Sequence, residues 1–89
     1  MVRYEETVLK RLKKGKPPRE IFLHFNNAFI SIDITKDLTL FDIRRLKTSP
    51  DRTYFRLRKG AYRGIFFIDG DDVVVIAIDK REEVYKKWL

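Results

Sequence analysis

The chain has 89 residues and is 44% hydrophobic, which suits one domain with a packed core and excludes a disordered chain. Its net charge of +7 favours an anionic partner, such as nucleic acid, the ribosome, an acidic protein or an anionic membrane surface. The absence of Cys excludes disulfides and thiolate zinc sites, and one His argues against a histidine metal site. No apolar run approaches the roughly 20 residues that span a bilayer, and no secretory signal is apparent. We therefore expect a cytoplasmic chain without a membrane segment, a metal or another cofactor.

The first half of the chain predicts a short strand at residues 2–4 and then two helices. The spacing of Tyr4, Val8 and Leu12 predicts the first helix, which Gly15 is placed to terminate. A second apolar stripe after Pro17-Pro18 consists of Ile21, Phe25, Ala28, Phe29 and Ile32. This stripe predicts a helix to about Ser31, although residues 30–35 alternate as a strand would. Residues 33–47 are expected to be a connector.

Residues 53–78 predict three consecutive antiparallel strands. Alternation in the first strand places Arg56 and Arg58 on one face. In the second strand it places Arg63 beside apolar neighbours, so we expect a partly buried arginine paired with an Asp or a backbone carbonyl. The third strand, residues 73–78, is apolar throughout, which predicts a central strand that is buried on both faces.

Two glycines mark the turns between these strands. Lys59-Gly60 forms the first turn, and Asp69-Gly70 predicts a type I′ hairpin, which needs positive φ at both central positions. Three acids, Asp69, Asp71 and Asp72, lie at that tip. They could bind a divalent cation, but turn chemistry already accounts for Asp69-Gly70, so we expect no metal site.

Residues 79–89 predict a terminal helix that Asp79 caps, with Glu82 completing a capping box. Val84 and Trp88 form an apolar pair that could dock the helix on the sheet. The predicted order is therefore β-α-α-β-β-β-α. It corresponds to a single α+β domain over residues 1–89, in which two N-terminal helices pack on a small antiparallel sheet and a short C-terminal helix follows.

Basic and aromatic side chains are the candidates for chemistry. They are Arg56, Arg58 and Arg63 on the predicted strands, with Lys80, Arg81 and Tyr85 after the last strand. Arginine binds phosphate oxygens in a bidentate manner, and a tyrosine offers a hydroxyl and a ring that stacks on bases. The pattern alone fits a solvated charged face equally well. We expect His24 to be a surface or packing residue. Because it is the single histidine of the chain, a ribonuclease that uses two histidines is excluded.

The run from Tyr54 to Tyr85 resembles the RelE/ParE superfamily of toxins from type II toxin–antitoxin systems. The shared pattern is Tyr-x-Arg-Leu-Arg-x-Gly-x-Tyr-Arg at residues 54–63, then a hairpin, then Lys-Arg-Glu-x-Val-Tyr at residues 80–85. The segment FDIRRLK at residues 41–47 and the two leading helices are also similar, so the resemblance covers nearly the whole chain. It implies an endoribonuclease that cuts messenger RNA in the ribosomal A site, where the 2′-OH attacks the adjacent phosphate without a metal.

The resemblance also implies roles for single residues. Arg56, Arg58 and Arg63 would orient the scissile phosphate and stabilise its developing charge. Lys80 or Arg81 would do so from the C-terminal side, and Tyr85 would stack on or orient a nucleotide. Further basic residues are candidates for contact with RNA from the charge pattern alone, and for the first three a solvated surface is the favoured alternative. They are Arg44, Arg45, Lys47 and Lys59.

The chain departs from its relatives at two points. Relatives often carry lysines on the first central strand, one of them a candidate general base, where this chain has Tyr54 and Arg56. Because arginine stays protonated, Lys59, Lys80 or Tyr85 takes that role, or the reaction depends on electrostatics. Asp79 falls where relatives place a basic residue.

A cognate RelB-like antitoxin is the partner that the resemblance implies, together with the ribosome and messenger RNA. The antitoxin would wrap the basic face with an acidic, partly disordered segment, and a heterotetramer with the antitoxin is one arrangement that the resemblance allows. Two alternatives stay open, a ParE-like inhibitor of DNA gyrase and a catalytically inactive RNA-binding relative. Tyr85 with its basic neighbours favours the ribonuclease.

Overall fold

A computed structural model describes residues 1–48 and 50–88 of the chain, without the side chains of Lys47 and Thr48. Its elements are β1 (Val2–Tyr4), α1 (Glu6–Lys13), α2 (Arg19–Thr35), β2 (Ile43–Thr48), β3 (Thr53–Lys59), β4 (Tyr62–Asp69), β5 (Asp72–Lys80) and α3 (Arg81–Trp88). The strands form one sheet in the order β1-β5-β4-β3-β2, with β1 parallel to β5 and the other neighbours antiparallel. The predicted α+β arrangement is confirmed. None of the helices described is long and apolar enough to cross a membrane.

The segment predicted as a connector contains an additional strand. The helix α2 continues through residues 33–35 and ends where Lys36 adopts a left-handed φ of 56°. It continues because Ile32 lies on the same buried stripe as the residues one turn earlier. Further along, β2 pairs with β3, so that Ile43 lies opposite Leu57. The connector prediction was wrong over these two stretches, because the six residues of β2 carry little periodic signal of their own and the strand is defined by its pairing with β3.

The helices α1 and α2 cover one face of the sheet. Buried residues of this core are Val8, Phe25, Ala28, Phe29 and Ile32 from the helices, with Leu57, Phe66, Val73, Val75 and Ile78 from the strands. The apolar stripe predicted for α2 is therefore confirmed. The rings of Phe29 and Phe66 pack edge to face with centroids 5.4 Å apart, a favoured aromatic geometry.

Gly64 allows the aromatic side chains of α2 to approach the middle of the sheet. It lies on β4, and a Cβ atom built there would be 3.0 Å from ring atoms of both Phe25 and Phe29. This separation is shorter than ordinary contact between carbon atoms. The close packing of α2 on the sheet thus depends on the missing side chain.

The opposite face of the sheet is only partly covered by α3. Beneath that helix Ile65 and Phe67 are buried, and Val84 of α3 is itself buried. Trp88 packs against Tyr54 with ring centroids 5.9 Å apart, so the predicted docking pair of α3 is confirmed. The remainder of this face carries the arginines.

The two hairpin turns are centred one residue later than predicted. Asp69 pairs with Asp72, so the central residues of the second turn are Gly70 and Asp71. Of these two, only Gly70 has a positive φ, of 60°. This is the pattern of a type II′ turn, in which glycine takes the first central position, and the type I′ assignment was wrong. The first hairpin turn is of the same type, because Lys59 pairs with Tyr62 and Gly60, with a φ of 59°, takes the first central position.

The end of β5 also differs from the prediction. The strand extends to Lys80, because its pairing with β4 continues to Tyr62, so Asp79 lies in a strand and does not cap α3. Its carboxylate instead forms an ion pair with Arg11 of α1, with Nη2 and Oδ2 2.6 Å apart. Burial on both faces holds for residues 73–75, which lie between β1 and β4. Ile76 is left unpaired by a β-bulge opposite Ile65 and Phe66, and both Ile76 and Ala77 are half-buried.

We expect Gly64→Ala to lower the free energy of unfolding by about 1–3 kcal/mol, the usual cost of overpacking a core. Chemical denaturation measures this change. The same substitution in a Phe25→Leu background should cost less, because the smaller side chain leaves room for the added methyl group. Equal costs in both backgrounds would contradict the contact.

Candidate nucleic-acid interface

Four arginines lie on the part of the sheet that α3 leaves open. Arg44 of β2 is directly opposite Arg56 of β3, and Arg58 of β3 is directly opposite Arg63 of β4. Directly opposed residues of antiparallel strands place their side chains on the same face. Like charges in such positions repel each other. The sheet therefore concentrates positive charge here, where an anion would relieve the repulsion.

Asp42, which precedes β2, contacts the two arginines of β3 through different oxygens. Its Oδ1 is 3.0 Å from Nη2 of Arg56, and its Oδ2 is 3.8 Å from Nη1 of Arg58. Its carbonyl also accepts a hydrogen bond of 2.9 Å from the Arg58 N–H. The Arg56 side chain is 14% exposed and that of Arg58 is 56% exposed. Arg56 is thus held against the sheet and largely buried, whereas Arg58 is accessible to a ligand.

Arg63 is buried beneath this surface, with 7% of its area exposed. Its Nη1 donates hydrogen bonds to the carbonyls of Gly60, at 2.8 Å, and Tyr62, at 2.9 Å, which confirms the predicted pairing with a backbone carbonyl. Burial lowers the pKa of Arg63, and the charges of Arg58 and other nearby arginines lower it further. Since arginine nevertheless keeps its proton, Arg63 provides a fixed positive charge.

The start of α3 adds Arg81 and Tyr85 to the same surface. The Arg81 N–H donates a hydrogen bond of 3.0 Å to the carbonyl of Ala61, which ties the helix to the first hairpin turn. The Arg81 guanidinium lies 5.1 Å from the centroid of the Tyr85 ring. A hydrogen bond from Arg81 and its charge lower the pKa of the Tyr85 hydroxyl, and the charges of Arg63 and Arg56 add to the effect. We call the group Arg56, Arg58, Arg63 and Arg81 the arginine patch.

Two lysines with predicted roles lie on the other side of the sheet. Lys59 and Lys80 are both directly opposite Tyr62, which packs against the core beneath the helices. The Nζ atom of Lys59 lies 5.2 Å from the centroid of the Phe41 ring. The fold therefore does not bring these lysines to the arginine patch, and their roles stay predictions.

The predicted RNA-contacting residues of β2 are divided between the two faces. Arg44 flanks the arginine patch, whereas Arg45 is opposite Phe55, whose ring packs towards the helices. The side chain of Lys47 lies outside the described residues. His24 is exposed on α2, as expected of a surface residue, and lines an open cleft of about 650 Å³ that Asp42 also borders.

Asp42 is the site residue that the sequence pattern did not indicate. An acid that precedes a basic run carries no special signal. Its position becomes informative only when β2 pairs with β3, which brings it to Arg56 and Arg58.

Two of the three acids at the second hairpin, Asp69 and Asp72, form ion pairs. Asp69 and Asp72 lie 3.0 and 3.1 Å from nitrogen atoms of Arg3 on β1. Within the described part of the chain, no three His, Cys, Asp or Glu residues converge as metal ligands. The acids at this tip thus link β1 to the second hairpin.

Comparison with known proteins identifies the fold. No protein-family model and no curated protein matches the sequence. The structure is similar to a chain of the RelB–RelE antitoxin–toxin complex from Methanococcus jannaschii, with a TM-score of 0.72 and 23% identity, covering 98% of this chain and 99% of that one. It is also similar to a chain of the archaeal RelE–RelB complex from Pyrococcus horikoshii OT3, with a TM-score of 0.64 and 22% identity over 90% and 92% of the two chains.

This chain has a RelE-like fold. At these identities the likeness concerns the backbone, and one fold supports several functions. The function of this RelE-like chain must therefore be argued from the arginine patch and Tyr85.

We expect the Tyr85 hydroxyl to titrate below the usual pKa of a tyrosine, because Arg81 stabilises the phenolate. Nuclear magnetic resonance of ring-labelled tyrosines measures this titration, and burial of Tyr4 raises the pKa of that residue, so the two signals separate. Arg81→Ala should raise the Tyr85 pKa, whereas Lys80→Ala, on the other face, should leave it unchanged. A Tyr85 pKa that is the same in both variants would contradict the described contact.

Proposed function

We propose that this chain is the toxin of a toxin–antitoxin pair and cleaves messenger RNA on the ribosome. The observation that carries the proposal is the arginine patch beside Tyr85 on an open face of a RelE-like fold. The patch exposes the guanidinium groups of Arg58 and Arg81 above the more buried charges of Arg56 and Arg63. Guanidinium groups match phosphate oxygens in a bidentate manner. The positive net charge of the whole chain supports attraction to the ribosome and its messenger RNA.

The chemistry proposed is attack by a 2′-OH on the adjacent phosphate. The 2′ oxygen forms a bond to phosphorus, and the bond from phosphorus to the 5′ oxygen breaks. Negative charge grows on the phosphate oxygens during this step, where Arg58 is accessible and Arg56 and Arg63 are held in place. Preorganised positive groups at such a position stabilise the transition state. DNA lacks the attacking group, so the reaction is restricted to RNA.

Proton transfer in this reaction needs a group that can release or accept a proton. Of the three residues expected for this role, Tyr85 lies with the arginine patch, whereas Lys59 and Lys80 lie on the other face. The lowered pKa of the Tyr85 hydroxyl brings it closer to neutral pH, which makes its proton easier to donate. Tyr85 is therefore the candidate for proton transfer on the α3 side.

An antitoxin is the protein partner that we propose. Each of the two similar structures is a complex of RelE with RelB. A partner that inhibits this chain has to neutralise the arginine patch, which an acidic segment does by charge complementarity. We propose a RelB-like antitoxin that covers the patch, and a heterotetramer as one form of the complex.

Induction in cells, with mapping of messenger RNA 5′ ends, tests the ribonuclease. We expect cuts inside translated codons for the wild type. Tyr85→Phe and Arg58→Ala should each lower the cleavage on the order of 100-fold, as losses of a proton-transfer group or a charge-stabilising group do. Lys80→Ala is the matched control, because it also removes one exposed cation but lies on the other face, and it should cleave normally.

Other results of the induction experiment would assign a different function. Growth arrest with intact messages and a DNA-damage response would indicate inhibition of DNA gyrase. No toxicity at all would leave a binding module or a catalytically inactive relative. If the product of the adjacent gene does not bind the chain and restore growth, the proposal of a cognate antitoxin is contradicted.

A further inference from the structure

We propose that Asp42 is the general base of the reaction, accepting the 2′-OH proton while Tyr85 protonates the leaving oxygen from the other side. This inference rests on the proposed ribonuclease function. It assigns to one carboxylate the role that the arginines of β3 cannot take, because arginine does not give up its proton in proteins.

The contacts of Asp42 place it directly against the groups that would bind the scissile phosphate. Among the described ion pairs, it supplies the carboxylate that reaches Arg56, at 3.0 Å, and Arg58, at 3.8 Å. Its side chain is 48% exposed, so a ribose hydroxyl can approach it. The hydrogen bond from the Arg58 N–H to its carbonyl fixes its backbone beside β3.

The strand order places Asp42 and Tyr85 on opposite sides of the arginine patch. Asp42 adjoins β2, the outermost strand of the sheet, whereas Tyr85 belongs to α3, which packs against β4 and β5. Arg58 and Arg63, directly opposed on β3 and β4, lie between them. In-line displacement at phosphorus requires that the attacking and the leaving oxygen lie on opposite sides of the phosphate. A base at Asp42 and an acid at Tyr85 meet this requirement.

The proton transfers balance in this scheme. The 2′-OH proton moves to an Asp42 oxygen as the bond from the 2′ oxygen to phosphorus forms. The bond from phosphorus to the 5′ oxygen breaks, its electron pair stays on that oxygen, and the Tyr85 hydroxyl donates the proton that completes the new 5′-OH. Exchange with water then returns the Asp42 proton to solvent and a proton to Tyr85. The products are a 2′,3′-cyclic phosphate and a 5′-OH.

One further observation and one expected consequence of RNA binding fit this division of roles. Arg81 lowers the pKa of Tyr85, which makes the hydroxyl proton easier to donate to the leaving oxygen. The arginines that now hold Asp42 would be engaged by the phosphate when RNA binds, which leaves the carboxylate free to accept a proton. In this scheme the Asp42 carboxylate exchanges its contacts with the arginines for a contact with the 2′-OH.

The pH dependence of the cleavage rate shows whether a carboxylate acts as the general base. A general base has to be deprotonated to accept the 2′-OH proton, so cleavage that depends on a carboxylate base falls towards acid pH. Other charged or titratable groups border Asp42 and could influence this acid limb. They are Arg44 of β2, Arg56, Arg58 and Lys59 of β3, Tyr62 of β4 and His24 of α2. His24 is the one imidazole among these groups, so His24→Asn is the control for a contribution from this side chain, and it should keep the acid limb.

The test measures cleavage by the purified full chain on ribosomes programmed with a messenger RNA, from acid to neutral pH. Asp42→Asn should lower the cleavage rate on the order of 100-fold and remove the acid limb. Its affinity for the same message with a 2′-O-methyl group at the scissile nucleotide should be unchanged or tighter, since one negative charge is lost. Asp71→Asn is the matched control, because it removes an exposed carboxylate at the opposite end of the sheet, and it should keep the rate and the acid limb.

Three outcomes would overturn the inference. Full cleavage by Asp42→Asn would exclude it as the base. Parallel losses of affinity and cleavage, with the acid limb kept, would show that Asp42 only positions the arginines. No cleavage by the wild type would overturn the proposed function together with this inference. If Asp42→Asn does not fold, Asp42→Glu decides, because a displaced carboxylate should keep the acid limb at a reduced rate.

Discussion

The crowding of guanidinium groups on one face of a small sheet is the constraint on which the rest of this structure depends. Arg58 and Arg63 are directly opposed across two strands, and the charges of Arg56 and Arg81 also act on Arg63. Such a group is unfavourable unless its charges are fixed and partly neutralised. The carbonyls of the first hairpin turn fix Arg63, and Asp42 partly neutralises the two arginines of β3.

The hydrophobic packing of the chain supplies the stability that this face lacks. The helices α1 and α2 seal one side of the sheet, and the missing side chain at Gly64 lets the phenylalanines of α2 approach closely. The helix α3 covers part of the other side, where its Val84 is buried, and its Tyr85 lies beside the arginine patch. The same short helix therefore completes the core and delivers a candidate catalytic group.

Local sequence patterns predicted the parts of this arrangement that depend on local periodicity. The stripe of α2, the alternation that puts Arg56 and Arg58 on one face, and the carbonyl pairing of buried Arg63 could all be read from the residues. The register of strand pairing could not. It decides that β2 exists, that β5 continues past Asp79, and that Lys59 and Lys80 lie on the side away from the arginines. Asp42 was missed for the same reason, since its meaning comes from the β2–β3 pairing.

We propose that the arginine patch binds the phosphates of RNA. The most direct test titrates the free protein with a short RNA that carries 2′-O-methyl groups, follows backbone amide shifts by nuclear magnetic resonance, and measures affinity over a range of salt concentrations. We predict shifts on β3, β4 and the start of α3. Arg58→Ala should reduce the slope of log affinity against log salt by about 1, with no change for Lys80→Ala. Shifts confined to α1 and α2, or a larger effect of Lys80→Ala, would contradict the account.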